Sequence, residues 1–328
     1  MPKICYTPKR FSSDRLQVID TANQILDDYH AQGYDLTLRQ LYYQFVSRGL
    51  IPNRDAEYKK LGDTINDGRL AGLIDWERIE DRTRNLRALS HWNSPQEIIE
   101  TCAGQFRVNL WETQHNYVEV WVEKDALVGV LQVACEPLDV PYFSCRGYVS
   151  QSEMWVAGMR ILAQLRLGKD ATVLHLGDHD PSGVDMTRDI NDRLNLFIRH
   201  HLRVPHDFKV DRIALTMEQI QGYNPPPNPA KITDSRSASY IDKYGDESWE
   251  LDALEPAILA HLIQERAGVL RDERAWEEAW GRQDDGRRRL EAVSGRWDEV
   301  LELVGAGYGS GNHGSAREDL DGEKGPGR

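Results

Sequence analysis

Apolar positions recur at helical spacing first over residues 11–32, at Leu16, Ile19, Ile25 and Leu26. Ser12 or Ser13 stands as the N-cap and Gly33 as the stop. Thr37 then caps a second helix over 38–48, stopped by Gly49 and Pro52. Asn53 or Asp55 opens a third over 56–70, ended by Ala71-Gly72. Residues 74–84 read as extended and charged. Three short helices followed by a strand-rich basic segment outline a winged helix.

Residues 88–116 form a connector with one helix at 95–108. Beyond it the pattern alternates: strand 117–122, helix 126–134, short strand 140–143, helix 151–166, strand 171–176, helix 184–201 and strand 209–215. Strands separated by amphipathic helices predict an α/β fold with a mostly parallel, Rossmann-like sheet. The run Asn224-Pro-Pro-Pro-Asn-Pro229 predicts a rigid extended segment, and residues 232–246 a polar loop. Residues 249–254 lead into a helix at 256–267, and 271–304 read as helix rich in Trp and charge. Residues 305–328 are Gly-rich, charged and poor in apolar residues, which predicts disorder. The expected organisation is a DNA-binding domain with its connector at 1–112, an α/β domain at 113–270, and a charged helix and tail at 271–328.

Chemistry concentrates just past two of the strands. The segment Leu176-Gly-Asp178-His-Asp180-Pro-Ser-Gly183 follows the apolar run 171–176, and the strand 117–122 runs straight into Glu123-Lys124-Asp125. Neighbouring parallel strands deliver their carboxyl ends to one edge, where ligands bind. Glu123, Asp178 and Asp180 are therefore expected to converge. Three hard oxygen ligands suit Mg²⁺, with Mn²⁺ as a substitute, and point to phosphodiester chemistry. A plain alternative stands beside this: an Asx-type turn without metal, and a Glu123 that merely ends a strand. His175 and His179 fit structural positions better than a catalytic base.

Charge narrows the partners. The chain of 328 residues carries a net charge of −13, which argues against non-specific coating of nucleic acid. Residues 1–90 nevertheless hold 14 Lys and Arg against 13 Asp and Glu. Lys59, Lys60, Arg69, Arg78, Arg82, Arg84 and Arg87 fall on the third helix and the wing, where they could contact duplex phosphates. The alternative is a solvated face of mixed charge. Cys5, Cys102, Cys135 and Cys145 lack zinc-ligand spacing, so buried reduced thiols are expected. Neither a signal-peptide core nor a membrane-length apolar run is present, which predicts a cytoplasmic protein.

Arg39 and Tyr43 are spaced i, i+4 on the second helix, within Leu38-Arg-Gln-Leu-Tyr-Tyr43. A cation beside a phenol favours its ionised form, and such a Tyr can attack a phosphodiester. The alternative is an aromatic core residue.

The order of Arg-x-x-Tyr-Tyr, Glu123-Lys, Asp178-x-Asp180-Pro-x-Gly183 and Glu250-Leu-Asp252-Ala-Leu resembles the A subunit of type IIB topoisomerases, the topoisomerase VI family. It is also similar to the related meiotic double-strand-break transesterase and to compact stand-alone bacterial relatives. The resemblance covers roughly residues 35–265. It implies that the α/β domain is a Toprim domain, that Glu123, Asp178 and Asp180 hold the metal, and that Tyr43 is the nucleophile assisted by Arg39. It places Arg146 in a Gly-containing loop near the site, as a further DNA contact, and gives Glu250 or Asp252 a supporting role. It implies double-strand breaks in DNA made by a homodimer, with Tyr43 of one subunit facing the metal of the other. No Gly-x-x-x-x-Gly-Lys motif is present, so an ATPase or regulatory partner protein is expected for any strand passage. The residues after Tyr43 depart from the family pattern. The nuclease subunits of plasmid-defence condensin systems, a related branch, cut DNA by hydrolysis, which leaves Tyr43 structural. A non-catalytic DNA-binding scaffold is the remaining alternative.

Overall fold

The computed structural model describes residues 3–79, 89–202, 207–230, 234 and 236–305. It divides into two compact units. One holds residues 1–87 and 109–279, the other residues 88–108 and 280–328.

The first unit begins with three helices, α1 (Ser13–Ala31), α2 (Leu38–Ser47) and α3 (Asp55–Leu70). Ser12 accepts from the Arg15 N–H and starts α1, so the cap lies at the first of the two candidate serines. Thr37 and Gln40 close a reciprocal capping box on α2. Six consecutive α2 residues, Gln40 to Phe45, are buried, so this helix is enclosed on nearly every side. Its apolar residues join Ile19, Ile25, Leu26, Leu61 and Ile65 in one core, which reaches as far as Ala253. After α3 the chain makes a 3-10 turn, Trp76–Arg78, capped by Asp75, where extended structure was expected. Leu36 and Ile79 then form a parallel bridge. The rest of the expected wing, with Arg82, Arg84 and Arg87, lies outside the described residues.

A four-stranded, all-parallel sheet follows, built of β1 (Asn116–Val122), β2 (Tyr142–Ser144), β3 (Asp170–Leu176) and β4 (Phe208–Ala214). The strand order is β2-β1-β3-β4. Two helices, α6 (Gln151–Arg166) and α7 (Pro181–His201), pack together over one face. The opposite face is covered by α5 (Val128–Cys135) and α10 (Pro256–Val269). That division follows from right-handed crossovers: the chain steps one way from β1 to β2 and the other way from β2 to β3 and β4.

The central strands are buried on both faces, and residues 118–122 are inaccessible throughout. Ile190, Leu194 and Ile198 of α7, spaced i, i+4, i+8, are fully buried against this sheet. Each contributes on the order of 2 kcal/mol. The one carboxylate inside β1, Glu119, takes both Nε and Nη2 of Arg160 at 2.8 and 2.9 Å, the Trp121 indole at 2.8 Å and the Tyr117 hydroxyl at 2.6 Å. Its charge is thereby paired and its lone pairs are used.

Beyond β4 run α8 (Met217–Tyr223) and a two-stranded antiparallel ribbon of β5 (Asn228–Pro229) and β6 (Glu247–Ser248). The region expected as a polar loop contains a helix, α9 (Ser237–Tyr244). Its Ser237 and Tyr240 are buried, and Tyr240 packs its ring against His179. A tertiary contact therefore holds a segment that lacks an apolar run of its own. Cys135 and Cys145 are buried free thiols, as expected, but Cys5 and Cys102 are exposed.

In the second unit, α4 (Pro95–Gln105) packs on the later turns of α11 (Glu273–Gly295). Gln96 donates to the Ser294 carbonyl at 3.0 Å, and Gln283 accepts from the Val108 N–H at 3.1 Å. A last helix, α12 (Trp297–Gly305), ends the described chain. Residues 306–328, expected to be disordered, lie outside the described residues. Among the described residues no helix is long and apolar enough to cross a membrane.

Candidate active site at the carboxyl edge of the sheet

The connections reverse direction between β1 and β3, and parallel sheets bind ligands outside the carboxyl ends at that point. β1 and β3 are in register through Val122 and Leu176, so Glu123 and Gly177 leave the sheet at one level. The structure brings Glu123, Asp178 and Asp180 together there. Glu123 Oε2 accepts from the Asp178 N–H at 2.9 Å. Asp178 Oδ1 accepts from the Leu251 N–H at 2.8 Å. Asp180 is the N-cap of α7, its Oδ1 accepting from the Gly183 N–H at 2.7 Å and from the Ser182 hydroxyl at 2.9 Å. The turn reading is thus correct for Asp180 without excluding a ligand role.

A distant segment closes the edge. His179 and Trp249 exchange backbone hydrogen bonds at 2.8 and 3.0 Å, which lays residues 249–252 beside the loop. Glu250 and Asp252 arrive with it. Lys124 Nζ then sits between three carboxylates, 2.8 Å from Glu250, 2.8 Å from Asp252 and 3.0 Å from Asp178. Arg39 reaches across from α2 to the same pair, Nε to Asp252 at 3.1 Å and Nη2 to Glu250 at 2.5 Å. Burial opposes charge on Lys124, but its three partners outweigh it and hold the ammonium protonated.

Arg212, on β4, supports the loop from below. It donates to the carbonyls of Gly177 (2.9 Å), Asp178 (2.6 Å), Gly183 (2.9 Å) and Leu215 (3.2 Å) and to the Thr187 hydroxyl (2.8 Å). Close approach leaves no room at Gly183: a Cβ there would stand 2.2 Å from the Asp178 carbonyl oxygen and 3.0 Å from Glu123 Oε2. Counting these groups, five carboxylates face the three cations Lys124, Arg39 and Arg212. Burial first, then mutual repulsion, pushes the Glu123 carboxyl well above the usual carboxylate range, and burial raises Asp178 too. His175, within β3, and His179, in the loop, are both buried. Burial holds His175 down to about 3 and His179 down to about 4, and His179 Nδ1 lies 2.7 Å from the Tyr240 hydroxyl.

Tyr43 lies on the same side of the molecule but is not activated as expected. It is 3 % exposed, and desolvation followed by the Asp252 and Glu250 charges raises its phenol above the ordinary value. The Arg39 guanidinium stands 5.8 Å from its ring centroid, yet it is committed to those two acids and cannot offset them. A cavity of about 170 Å³ opens beside Tyr43 and contains Asp180 in its wall.

The candidate DNA contacts separate. Lys59 and Lys60 are exposed on α3, Lys60 with only a loose 3.8 Å ion pair to Glu57. Arg69 is turned inward instead, donating to the carbonyls of Trp76 (2.9 Å) and Ile79 (2.7 Å), with Trp76 packed on its guanidinium. Those bonds hold the 3-10 turn and remove Arg69 from a phosphate-binding face. Arg146 is exposed at the sheet edge and pairs with Asp125 at 3.0 Å.

Lys124 and Arg212 were not singled out from sequence. Lys124 follows Glu123 directly, but two of its three partners, Glu250 and Asp252, come from a segment more than a hundred residues away. Arg212 leaves no such signal, since β4 also carries Lys209 and Asp211 and only its last two residues are buried.

Carboxylate oxygens are the donor type that a hard divalent cation takes. Three carboxylates meet at one edge, and together with Glu250, Asp252, Lys124, Arg39 and Arg212 they carry a formal surplus of two negative charges. Among the described residues no three His, Cys, Asp or Glu side chains form a ready metal cage. Mg²⁺ seldom uses one, taking one or two carboxylates and completing its shell with water and phosphate oxygens. No protein-family model, curated protein or solved structure matches this chain.

Proposed function

We propose that this protein is a divalent-metal-dependent DNA-cleaving enzyme of Toprim type, and that it cuts by hydrolysis. The observation that carries the reading is the convergence of Glu123, Asp178 and Asp180 at the β1/β3 switch point. These three would hold Mg²⁺ or Mn²⁺, and the bound ion would supply charge stabilisation to a phosphate and a lowered pKa to a water. Lys124 keeps Asp178 ionised and oriented, and Arg39 anchors the α2 helix to the same cluster. The first three helices serve as a winged-helix-like DNA-binding element, with Lys59 and Lys60 positioning a duplex and Arg146 contributing at the sheet edge. A homodimer would deliver two such sites to opposite strands.

Hydrolysis is favoured because Tyr43 is buried and its phenol is held neutral. One observation supports the second reading, transesterification by Tyr43: that residue and Asp180 line one cavity. The test is supercoiled plasmid incubated with Mg²⁺ or Mn²⁺, quenched with detergent and run with and without protease. Hydrolysis gives broken DNA that enters the gel equally in both, with Tyr43→Phe still cutting and Asp178→Ala inactive. Product that enters only after protease overturns hydrolysis in favour of a tyrosyl link. Cutting by Asp178→Ala at the wild-type rate overturns both.

A further inference from the structure

The cavity beside Asp180 has a composition that metal-dependent cleavage alone does not require. Its walls include four aromatic rings, those of Tyr42, Tyr43, Tyr58 and Trp249. Tyr42 meets Tyr43 and Tyr58 edge-on, each with centroids 5.3 Å apart, so the rings form a fixed array. Hydrogen bonds fix it further: the Tyr42 hydroxyl donates to Asn53 Oδ1 at 3.0 Å and accepts from the Arg54 N–H at 2.8 Å. Two side-chain amides, Asn53 and Asn228, face the same space and pair with each other. Each amide still offers hydrogen-bonding capacity beyond that pair.

Rigid aromatic faces with a few placed amides form the chemistry that receives a nucleobase. The rings stack on it, and the amides read its edge. Size restricts which base. A cavity of about 150 Å³ takes up one benzene ring, so about 170 Å³ matches a single six-membered ring more closely than a fused pair. Asp180 lines the cavity and also belongs to the carboxylate cluster. A base seated here would carry its own phosphate toward that cluster.

We infer that the cavity is a binding site for one unpaired pyrimidine of the DNA substrate, splayed out of its stack to place the adjoining phosphate at the metal acids. The inference rests on the DNA-cleavage reading and names its substrate: DNA with an extrahelical or single-stranded pyrimidine. It gives Tyr58, only partly buried, the role of stacking platform.

The test measures binding in EDTA, so that cleavage plays no part. Fluorescein-labelled short duplexes carry no bulge, a single thymine bulge, an adenine bulge or an abasic bulge. Fluorescence anisotropy reads their affinities for the full-length protein. The expected result is roughly tenfold tighter binding of the thymine bulge than of the paired duplex, the order of one stacked base. Adenine and abasic bulges lose that gain, Tyr58→Ala removes it and Tyr58→Phe retains it. Equal affinity for abasic and thymine bulges overturns the inference, as does an adenine bulge bound equally well. No binding to any of the four overturns it too. The abasic arm needs no altered protein, so a misfolded variant cannot obscure the result. Plasmid cleavage by the same preparation in Mg²⁺ separates the two readings. Cleavage without a pyrimidine preference sinks the pocket alone, and preference without cleavage sinks the enzymatic reading alone.

Discussion

The Arg39 Nε–H donates to Asp252 Oδ2 at 3.1 Å, joining residues 213 positions apart. The Asp252 side chain is completely buried, and its other oxygen takes Lys124 Nζ at 2.8 Å. One carboxylate therefore binds the N-terminal helices to the sheet edge and neutralises a buried ammonium at once. Asp252→Asn keeps the shape and removes the charge, leaving Lys124 short of a partner inside the protein. Breaking a buried pair on one side costs about 3 kcal/mol or more. A lowered urea midpoint of that size is expected, and Lys124→Met in the same background should recover part of it. Strict additivity of the two changes in a double-mutant cycle would show that the groups do not interact.

Gly183 carries a second expectation. A methyl group there meets the Asp178 carbonyl oxygen at 2.2 Å, a backbone atom that Arg212 holds in place. Gly183→Ala should destabilise by about 3 kcal/mol and displace the Asp178–Asp180 loop. Thermal melting measures the first effect, and loss of Mg²⁺-induced stabilisation measures the second. An alanine variant with wild-type Tm and wild-type response to Mg²⁺ contradicts the close packing.

Much of this edge was legible in the sequence because parallel strands leave a strong signature. The runs at 117–122 and 171–176 are short, apolar and bounded by chemistry, and the expected boundaries fall within one residue of β1 and β3. The loop Asp178-His-Asp180-Pro-x-Gly183 announces both a turn and a ligand set. What stayed hidden depends on long-range contact. Helix α9 owes its buried Tyr240 to His179, a partner 61 residues away. Arg69 looked like a phosphate contact because it falls on the third helix with Lys59 and Lys60. Its actual acceptors are carbonyls of the turn that follows α3. Tyr43 was paired correctly with Arg39 by helical spacing, but burial first, and then the acids that arrive from residues 250 and 252, raise its pKa where a lowering was expected.

Arg212 shows how much one unselected residue does. Its guanidinium serves five acceptors, four of them backbone carbonyls of the site loop and its neighbour. Lysine keeps the charge but presents three donors from one point, so it cannot reproduce a planar fork. Buried carbonyls left without donors cost roughly 1–3 kcal/mol each. Arg212→Lys is therefore expected to lower stability by about 3 kcal/mol and to speed amide exchange at Asp178 and His179. Hydrogen exchange read by mass spectrometry checks this. Unchanged protection across residues 177–183 would mean that the loop holds itself.

The last expectation concerns pH, and its sign follows from which groups are crowded. Burial and the neighbouring Asp178 and Asp180 charges push the Glu123 carboxyl up to about 7. The folded protein then keeps a proton that the unfolded chain has already released, from the ordinary value of 4.5 up to that pH. Folding weakens across this window as pH rises, and the loss is complete above it. His175 and His179, held down to about 3 and about 4, act in the opposite direction, favouring the folded state as pH rises toward 6.5. The wild-type curve mixes the two effects, so the comparison with Glu123→Gln reads the carboxylates, Glu123 together with the neighbouring Asp178 whose ionisation depends on it. The variant should gain stability relative to wild type between pH 4.5 and 7, by on the order of 3 kcal/mol, and hold a constant advantage above. Divalent metal should reverse that ranking, since cation binding favours the ionised acids and releases protons. Mg²⁺ is expected to raise the wild-type Tm more at pH 8 than at pH 5, and to act weakly on Glu123→Gln at either. A flat difference curve would show that Glu123 ionises like an exposed acid and that the edge is not charged enough to demand a cation.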